Sequence, residues 1–336
     1  MKQRVIGIGF LLVCLGSCIQ IENTNDTQVK KSIVTDVSDL GVDVVSESEH
    51  EAISLLGKKL YAPIIPSSVL EKRKKELAQA EENFSSHPDS LANIIWYGRR
   101  LAYLYQYKHA IQIYTLGLNK FPESYKLYRH RGHRYLTLRY FDKAIQDLEK
   151  AVFYSRNSPN EMESDGLPNR RNIPRNSVHF NIWYHLGMAY YMKGNYDKSV
   201  SAYKACISIA DNDDMLVAAT DWLYMTYRKT GNIAAAEALL APIKTRMNVI
   251  ENYAYHNRLL MYKGIKKPEQ LFDPSKGSDM AIDDVTIGYG VGNWYYYNGN
   301  TDKALAIFNQ MMESPYWQAF GYIAAEVELS NLGNGS

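Results

Sequence analysis

Small residues and their large neighbours recur along this chain at a fixed spacing of 34 residues. The matching positions, without a gap, are Gly98 and Gly132, Ala110 and Ala144, Tyr114 and Leu148, and Gly117 and Ala151. A period of this length indicates a repeat architecture, in which one unit cannot bury its apolar face alone and several units must stack. The chain is therefore predicted to be an array of similar units.

The period and its small residues resemble the tetratricopeptide repeat (TPR), a helix-turn-helix unit. The resemblance implies an all-α fold, a right-handed α-solenoid of TPR helix pairs with about five repeats, one of them degenerate, plus capping helices. Repeats are expected to begin near residues 91, 125, 180, 217 and 285, with a degenerate helix at 249–263. The pattern Ser68-Val69-Leu70-Glu71 predicts the start of a leading helix, and Trp317 to Leu329 a closing one.

Two segments interrupt the period of the solenoid, which is assigned to residues 67–333. Residues 155–177 and 264–284 both contain proline and glycine, which do not continue a helix. Loops of this length in a compact array are often functional or disordered, and the sequence leaves both alternatives open for 155–177.

The first residues are typical of an export signal. Lys2 and Arg4 precede an apolar run too short to span a membrane, so residues 1–17 are predicted to be a signal peptide. Leu15-Gly16-Ser17-Cys18 resembles a bacterial lipobox, which implies a TPR lipoprotein with lipid attached at Cys18. The alternative is an ordinary signal peptide with a chance cysteine. Ile19 after the cysteine implies outer-membrane sorting in a Gram-negative bacterium, on the periplasmic or cell-surface face.

Residues 18–66 are predicted to be a flexible tether, because they are polar and lack a sustained apolar period. Removing Lys2 and Arg4 with the signal leaves 36 basic and 36 acidic residues. A chain without net charge has no overall field to attract nucleic acid, so we expect no nucleic-acid partner. Of the three cysteines only Cys206 would remain unmodified, and it is expected to be a packed core thiol.

In TPR proteins the inner helix of each unit lines a concave groove. Matched to this sequence, the groove is predicted to be basic at its N-terminal end and polar-aromatic further on, which suits acidic peptides, carboxylates or sugar hydroxyls. A solvated face without a ligand is the alternative. The predicted groove residues are Arg99, Lys126, Arg129, His133, Asn181, Tyr184, Tyr191, Asp221, Arg228, Tyr289, Asn293 and Tyr296.

The sequence predicts a non-enzymatic scaffold that binds a protein partner in this groove, as TPR proteins generally do. The alternative is a glycan-binding or accessory component of an outer-membrane polysaccharide utilisation system. No catalytic motif is present in the sequence, so we expect no catalytic residue and no cofactor. His130 and His133 lack a third metal ligand nearby in sequence, so no metal site is expected.

Overall fold

A computed structural model describes residues 50–333 of the protein, and the prediction of an all-α fold is confirmed there. The predicted signal peptide, Cys18 and most of the tether lie outside the described residues. A hairpin pairs β1 (Ala52–Ile53) with antiparallel β2 (Lys59–Leu60). The α-helices, numbered α1 to α14, are Ser67–Ser86, Leu91–Tyr103, Tyr107–Lys120, Tyr125–Thr137, Phe141–Ser155, Val178–Met192, Tyr196–Ile209, Asp213–Lys229, Ile233–Ala238, Tyr253–Tyr262, Pro268–Leu271, Ile282–Tyr297, Thr301–Met311 and Phe320–Gly333. A 3-10 helix covers Pro274–Asp279.

Each helix pair is closed by a short turn in which one residue has a positive φ. In later units that residue is a glycine, such as Gly194 (φ 71°) and Gly299 (φ 84°). In the first two units the same place holds Tyr105 and Arg139, both at φ 65°. A residue with a Cβ is uncommon in this conformation, so packing must hold these two turns.

The small residues of the period accommodate large side chains of the paired helix. A Cβ on Gly98 of α2 would lie 2.3 Å from the Tyr114 ring of α3, and one on Gly132 of α4 would lie 2.8 Å from Leu148 of α5. Both large side chains are at least 99% buried. The ring of Tyr114 and the side chain of Leu148 therefore fill the space above these two glycines.

The helix pairs stack in chain order. Neighbouring helices contact each other along most of the array, and α2, α4, α6 and α8 also contact one another in succession. These four helices, with α12, which contacts α8, form the inner face. The fourth unit departs from the pattern, since its second helix α9 has only 6 residues. Pro242 follows closely, and the residue before a proline avoids helical conformation.

The last helix folds back over the inner face. Helix α14 contacts α12, α13 and also α6, which is far away in sequence. Glu326 of α14 forms an ion pair with Arg139 at 2.6 Å, and both side chains are at least 97% buried. Arg139 also donates to the backbone carbonyl of Trp317 at 2.9 Å. The closing helix is therefore tied to the second repeat as well as to its own neighbours.

The hairpin joins the two ends of the array. The buried Glu51 carboxylate accepts hydrogen bonds from the amides of Tyr107 (3.0 Å) and Lys108 (3.3 Å) at the start of α3. The Trp317 indole donates to the carbonyl of Tyr61 at 2.6 Å. Residues 51–61 were predicted to belong to the tether, whereas the structure shows them packed on the helices, because polar caps and two short strands fix a segment that has no apolar period.

No helix within residues 50–333 combines the length and the apolar character that crossing a membrane requires. Cys206 is fully buried, and burial raises the pKa of its thiol well above the usual value, so it packs as an apolar side chain.

Candidate ligand groove

Arg99 of α2 and Arg129 of α4 meet on the inner face around a carboxylate from the 155–177 insertion. Arg129 Nε lies 3.1 Å from Glu163 Oε2, and Arg99 Nη1 lies 3.9 Å from Glu163 Oε1. Asn181 of α6 donates to the same carboxylate at 2.9 Å. Lys126, one turn before Arg129, extends the basic surface, and we call Arg99, Lys126 and Arg129 the cationic cluster.

Two adjoining cavities share this cluster. The first, of about 330 Å³, lies between the arginines and the C-terminal helix, and the second, of about 380 Å³, lies between α2 and α4. Both are lined by Arg99, Arg129, Glu163 and Ser164. The first is also lined by the predicted residues His133, Asn181 and Tyr184, and the second by Lys126. The structure therefore brings together the six predicted groove residues of α2, α4 and α6 that precede Tyr191.

The histidines beside the cluster are uncharged at neutral pH. Burial lowers the pKa of His130, His133 and His185 well below the usual value, and nearby arginines lower it further. Arg129 donates to Nδ1 of His130 at 2.9 Å, which the neutral imidazole can accept. Burial also lowers the pKa of Arg129. The positive charge of this surface therefore comes from the cationic cluster and not from histidine.

The first cavity has an aromatic wall. The His133 ring lies 4.2 Å from that of His185 and 5.4 Å from that of Phe320, which belongs to α14. Nδ1 of His133 has no hydrogen-bond partner among the described residues. Tyr184 is buried, and its hydroxyl donates to Tyr255 at 3.0 Å and accepts from the Trp222 indole at 2.9 Å. Tyr184 therefore offers its ring to a ligand, while its hydroxyl is already engaged.

The second half of the predicted groove is filled by the protein itself. Asp221, Tyr289 and Asn293 are fully buried, and Tyr191 is 97% buried, so none of them is available to a partner. The Tyr289 hydroxyl donates to Glu328 of α14 at 3.2 Å, and α14 covers this part of the inner face. The prediction of a groove surface at these residues needs correcting, because α14, a largely apolar helix whose Glu328 accepts from Tyr289, occupies the space.

Each of these residues has an internal role. Asp221 forms a buried ion pair with Arg258 of α10. The hydroxyls of Tyr191 and Tyr289 lie 2.6 Å apart, and Asn293 donates to Tyr191 at 3.1 Å. They form a polar network inside the core rather than a ligand surface.

The remaining two predicted residues are partly exposed and interact with neighbours. Arg228 donates to Asn298 at 3.0 Å and lies 4.2 Å above the Tyr297 ring. The ammonium of Lys229 lies 4.5 Å from the ring centre of Tyr296. Neither residue lines either of the two cavities.

The insertion at residues 155–177 contributes acidic residues to the site that were not among the predicted groove residues. Glu163 and Asp165 line the first cavity, and burial raises the pKa of Asp165. Acidic residues at alternate positions, Glu161, Glu163 and Asp165, opposite a basic groove were the available signal. No three or more His, Cys, Asp or Glu side chains within residues 50–333 come together in a way that could hold a metal ion.

The sequence model described as "Tetratricopeptide repeat" matches residues 180–213, which contain α7 and all but the first two residues of α6. This part of the chain is similar to a tetratricopeptide repeat. The prediction of a TPR-like protein is thereby confirmed, with the helix pairs of the other units arranged around this one. A search of curated proteins finds none that matches the chain.

Solved structures similar to this TPR-like protein were also found. One is YrrB, described as a TPR protein with an unusual peptide-binding site, at 14% identity and a TM-score of 0.39, covering 69% of this chain and 90% of that one. MamA has 14% identity and a TM-score of 0.40, with 60% and 89% covered. A tetratricopeptide repeat protein from Parabacteroides merdae ATCC 43184 has 16% identity and a TM-score of 0.43, with 73% and 80% covered.

Proposed function

We propose that this protein is a non-enzymatic scaffold that holds an acidic segment of a protein partner against the cationic cluster. The observation that carries the proposal is the position of Glu163, whose carboxylate lies among Arg99, Arg129 and Asn181 on the inner face. A surface that holds one carboxylate from an extended segment can hold another. The open part of the groove spans α2, α4 and α6 only, so the contact would be small and exchangeable, with micromolar affinity.

Crosslinking from the open groove tests this proposal. A photo-crosslinking amino acid in place of Ala92, which is exposed and lines the second cavity, is expected to capture a partner in membranes. Replacing Arg99 and Lys126 by alanine should reduce that capture about ten-fold, which corresponds to roughly 1.4 kcal/mol of binding free energy. The yield is measured by blotting for the tagged protein after irradiation.

Two matched controls accompany the crosslinking. The same amino acid in place of Phe153, an exposed side chain outside both cavities, should not capture that partner. Replacing Lys143 and Arg156, both exposed, removes the same charge elsewhere and should leave the yield unchanged. If replacing Arg99 and Lys126 leaves the crosslinking yield from position 92 unchanged, the proposed site is contradicted.

A sugar is the second candidate ligand. The residues that line the first cavity include the aromatic Tyr103, Phe180 and Phe320 and the polar Asn176 and Asn252. Aromatic faces and amide groups together are suited to a sugar ring. If position 92 captures no protein, titration with a panel of polysaccharides decides between this candidate and an empty cavity.

We also propose that the scaffold is a lipoprotein attached to the outer membrane through Cys18, as the lipobox resemblance implies. In cells fed labelled palmitate, the wild-type chain should carry the label and the Cys18→Ala variant should lose it completely, because the thiol is the acceptor. Cys206→Ala is the control, and it should stay labelled because that thiol is buried. Label that persists in Cys18→Ala would contradict the anchor.

A further inference from the structure

We infer that residues 161–165 are an internal ligand of the cationic cluster, which a partner must displace before it can bind. The inference rests on the proposed function and adds its regulation: in the structure the groove is occupied by the chain's own acidic segment. The partner it implies is an extended peptide with carboxylates at alternate positions.

The segment presents its acidic side chains to the groove in regular order. Glu161 Oε1 lies 2.5 Å from Lys126 Nζ, near the start of α4. Glu163 lies among Arg99, Arg129 and Asn181, and Asp165 lines the first cavity beside Arg99. The three carboxylates thus follow the cationic cluster from one side to the other.

The backbone explains this order. Met162 and Ser177 form an antiparallel bridge. The Glu163 amide donates to the backbone carbonyl of Asn176, and the Val178 amide donates to that of Glu161, both at 2.9 Å. In an extended chain every second side chain points to the same face. Residues 161, 163 and 165 therefore share a face, as the acidic residues of a bound peptide would.

Apart from these charges and the backbone pairing with residues 176–178, the segment has few buried contacts. Between Arg156 and Asn176 only Gly166 is buried, while Met162, Leu167 and Ile173 are 43–53% exposed. A segment with few buried apolar contacts is among the first parts of a protein to open.

The carboxylates of Glu163 and Asp165 are also imperfectly paired. The N–H of Arg129 Nε makes no hydrogen bond despite its short distance to Glu163, and Asp165 Oδ2 is buried without a hydrogen-bond partner in the described structure. By contrast, Arg131 holds Asp147 through two hydrogen bonds of 2.7 and 2.9 Å. The cationic cluster is therefore occupied by a carboxylate that fits it less well than Asp147 fits Arg131, two residues beyond Arg129.

Removing the charges of the segment tests the inference in the full chain. In the variant Glu161→Gln, Glu163→Gln, Asp165→Asn, the cluster loses its internal ligand. A fluorescent peptide with the sequence of residues 159–168 should bind this variant about ten-fold more tightly than the wild type, the gain expected if the segment occupies the cluster about nine-tenths of the time. A peptide with the same three neutral substitutions should bind neither protein.

A charge-matched variant controls for the change in net charge. Asp89→Asn, Asp142→Asn, Glu149→Gln neutralises three partly or largely exposed carboxylates that form surface ion pairs elsewhere. It should bind the acidic peptide as the wild type does. Equal affinity for all three proteins, or no binding to any of them, would overturn the inference.

Hydrogen exchange in the wild type supplies a measurement that does not depend on a variant's folding. Excess acidic peptide should speed exchange at the amides of Glu163 and Val178, which are paired in the bound segment, and leave Leu127 in α4 unchanged. Unaltered exchange at saturating peptide would overturn the inference. If the acidic peptide binds the neutralised variant more tightly than the wild type but position 92 captures no partner, the internal ligand is supported and the proposed function is rejected. If position 92 captures a partner but the peptide binds both proteins equally, only the internal ligand is rejected.

Discussion

Replacing Asp221 by alanine is expected to lower the free energy of unfolding by about 3–5 kcal/mol, because it leaves a buried guanidinium without its counter-charge. Both side chains of the Asp221–Arg258 pair are fully buried. Arg258 Nε donates to Asp221 at 2.9 Å and Nη1 donates to the Thr286 carbonyl at 2.6 Å. The Arg258 side chain also packs closely on Gly290, where a Cβ would lie 2.4 Å from it.

Urea unfolding followed by circular dichroism measures this loss. Asp142→Ala removes the acid of a surface ion pair with Lys193 and should cost less than about 1 kcal/mol. The double variant Asp221→Leu, Arg258→Met should recover most of the stability, since no buried charge remains. A loss below 1 kcal/mol for Asp221→Ala would show that Arg258 reaches water, and it would restore Asp221 as a candidate ligand residue.

Glu326→Ala is expected to have an effect of similar size, about 3–5 kcal/mol, by leaving Arg139 unpaired in the interior. Arg139 keeps its bonds to the carbonyls of Thr137 (2.6 Å) and Trp317 (2.9 Å), but these do not neutralise its charge. The Leu55 amide of the hairpin also loses its acceptor. The variant should therefore loosen α14 and the hairpin together.

Unfolding in urea and hydrogen exchange along α14 measure the two parts of this expectation. Glu326→Gln keeps an acceptor and should lose less than the alanine variant, because the hydrogen bonds can persist without the charge. Glu313→Ala, at an exposed position two residues after the end of α13, is the matched control and should stay near the wild type. Full stability with slow exchange in α14 would show that apolar packing alone holds the helix.

The repeat architecture could be predicted because its determinants are local. Gly98 and Gly132 of the 34-residue period meet large side chains on the helix paired with each, so spacing along the chain fixes the contact. The turns were partly predictable. Glycine marks three of them, at Gly194, Gly231 and Gly299, whereas two others have Tyr105 and Arg139 at the positive-φ position, and these residue types do not indicate a turn.

The open extent of the groove could not be predicted, because two distant segments decide it. Helix α14 packs against α6 and α12, and nothing in its apolar pattern says which surface it covers. Glu163 reaches Arg129 from a loop whose path depends on pairing with residues 176–178. Positions matched to a repeat family describe an empty inner face, and they carry no information on what the rest of the chain places there.

The tie between Arg139 and Glu326 changes how such an array can fold. Units that touch only their neighbours can form in any order, each stabilised by the one before it. Here the second repeat depends on a residue 187 positions further along the chain, and a contact of that separation forms slowly because a long loop must first close. When the chain is synthesised from its N-terminus, Arg139 has no ion-pair partner until α14 has been made. The last helix, rather than the first, therefore completes the cooperative unit.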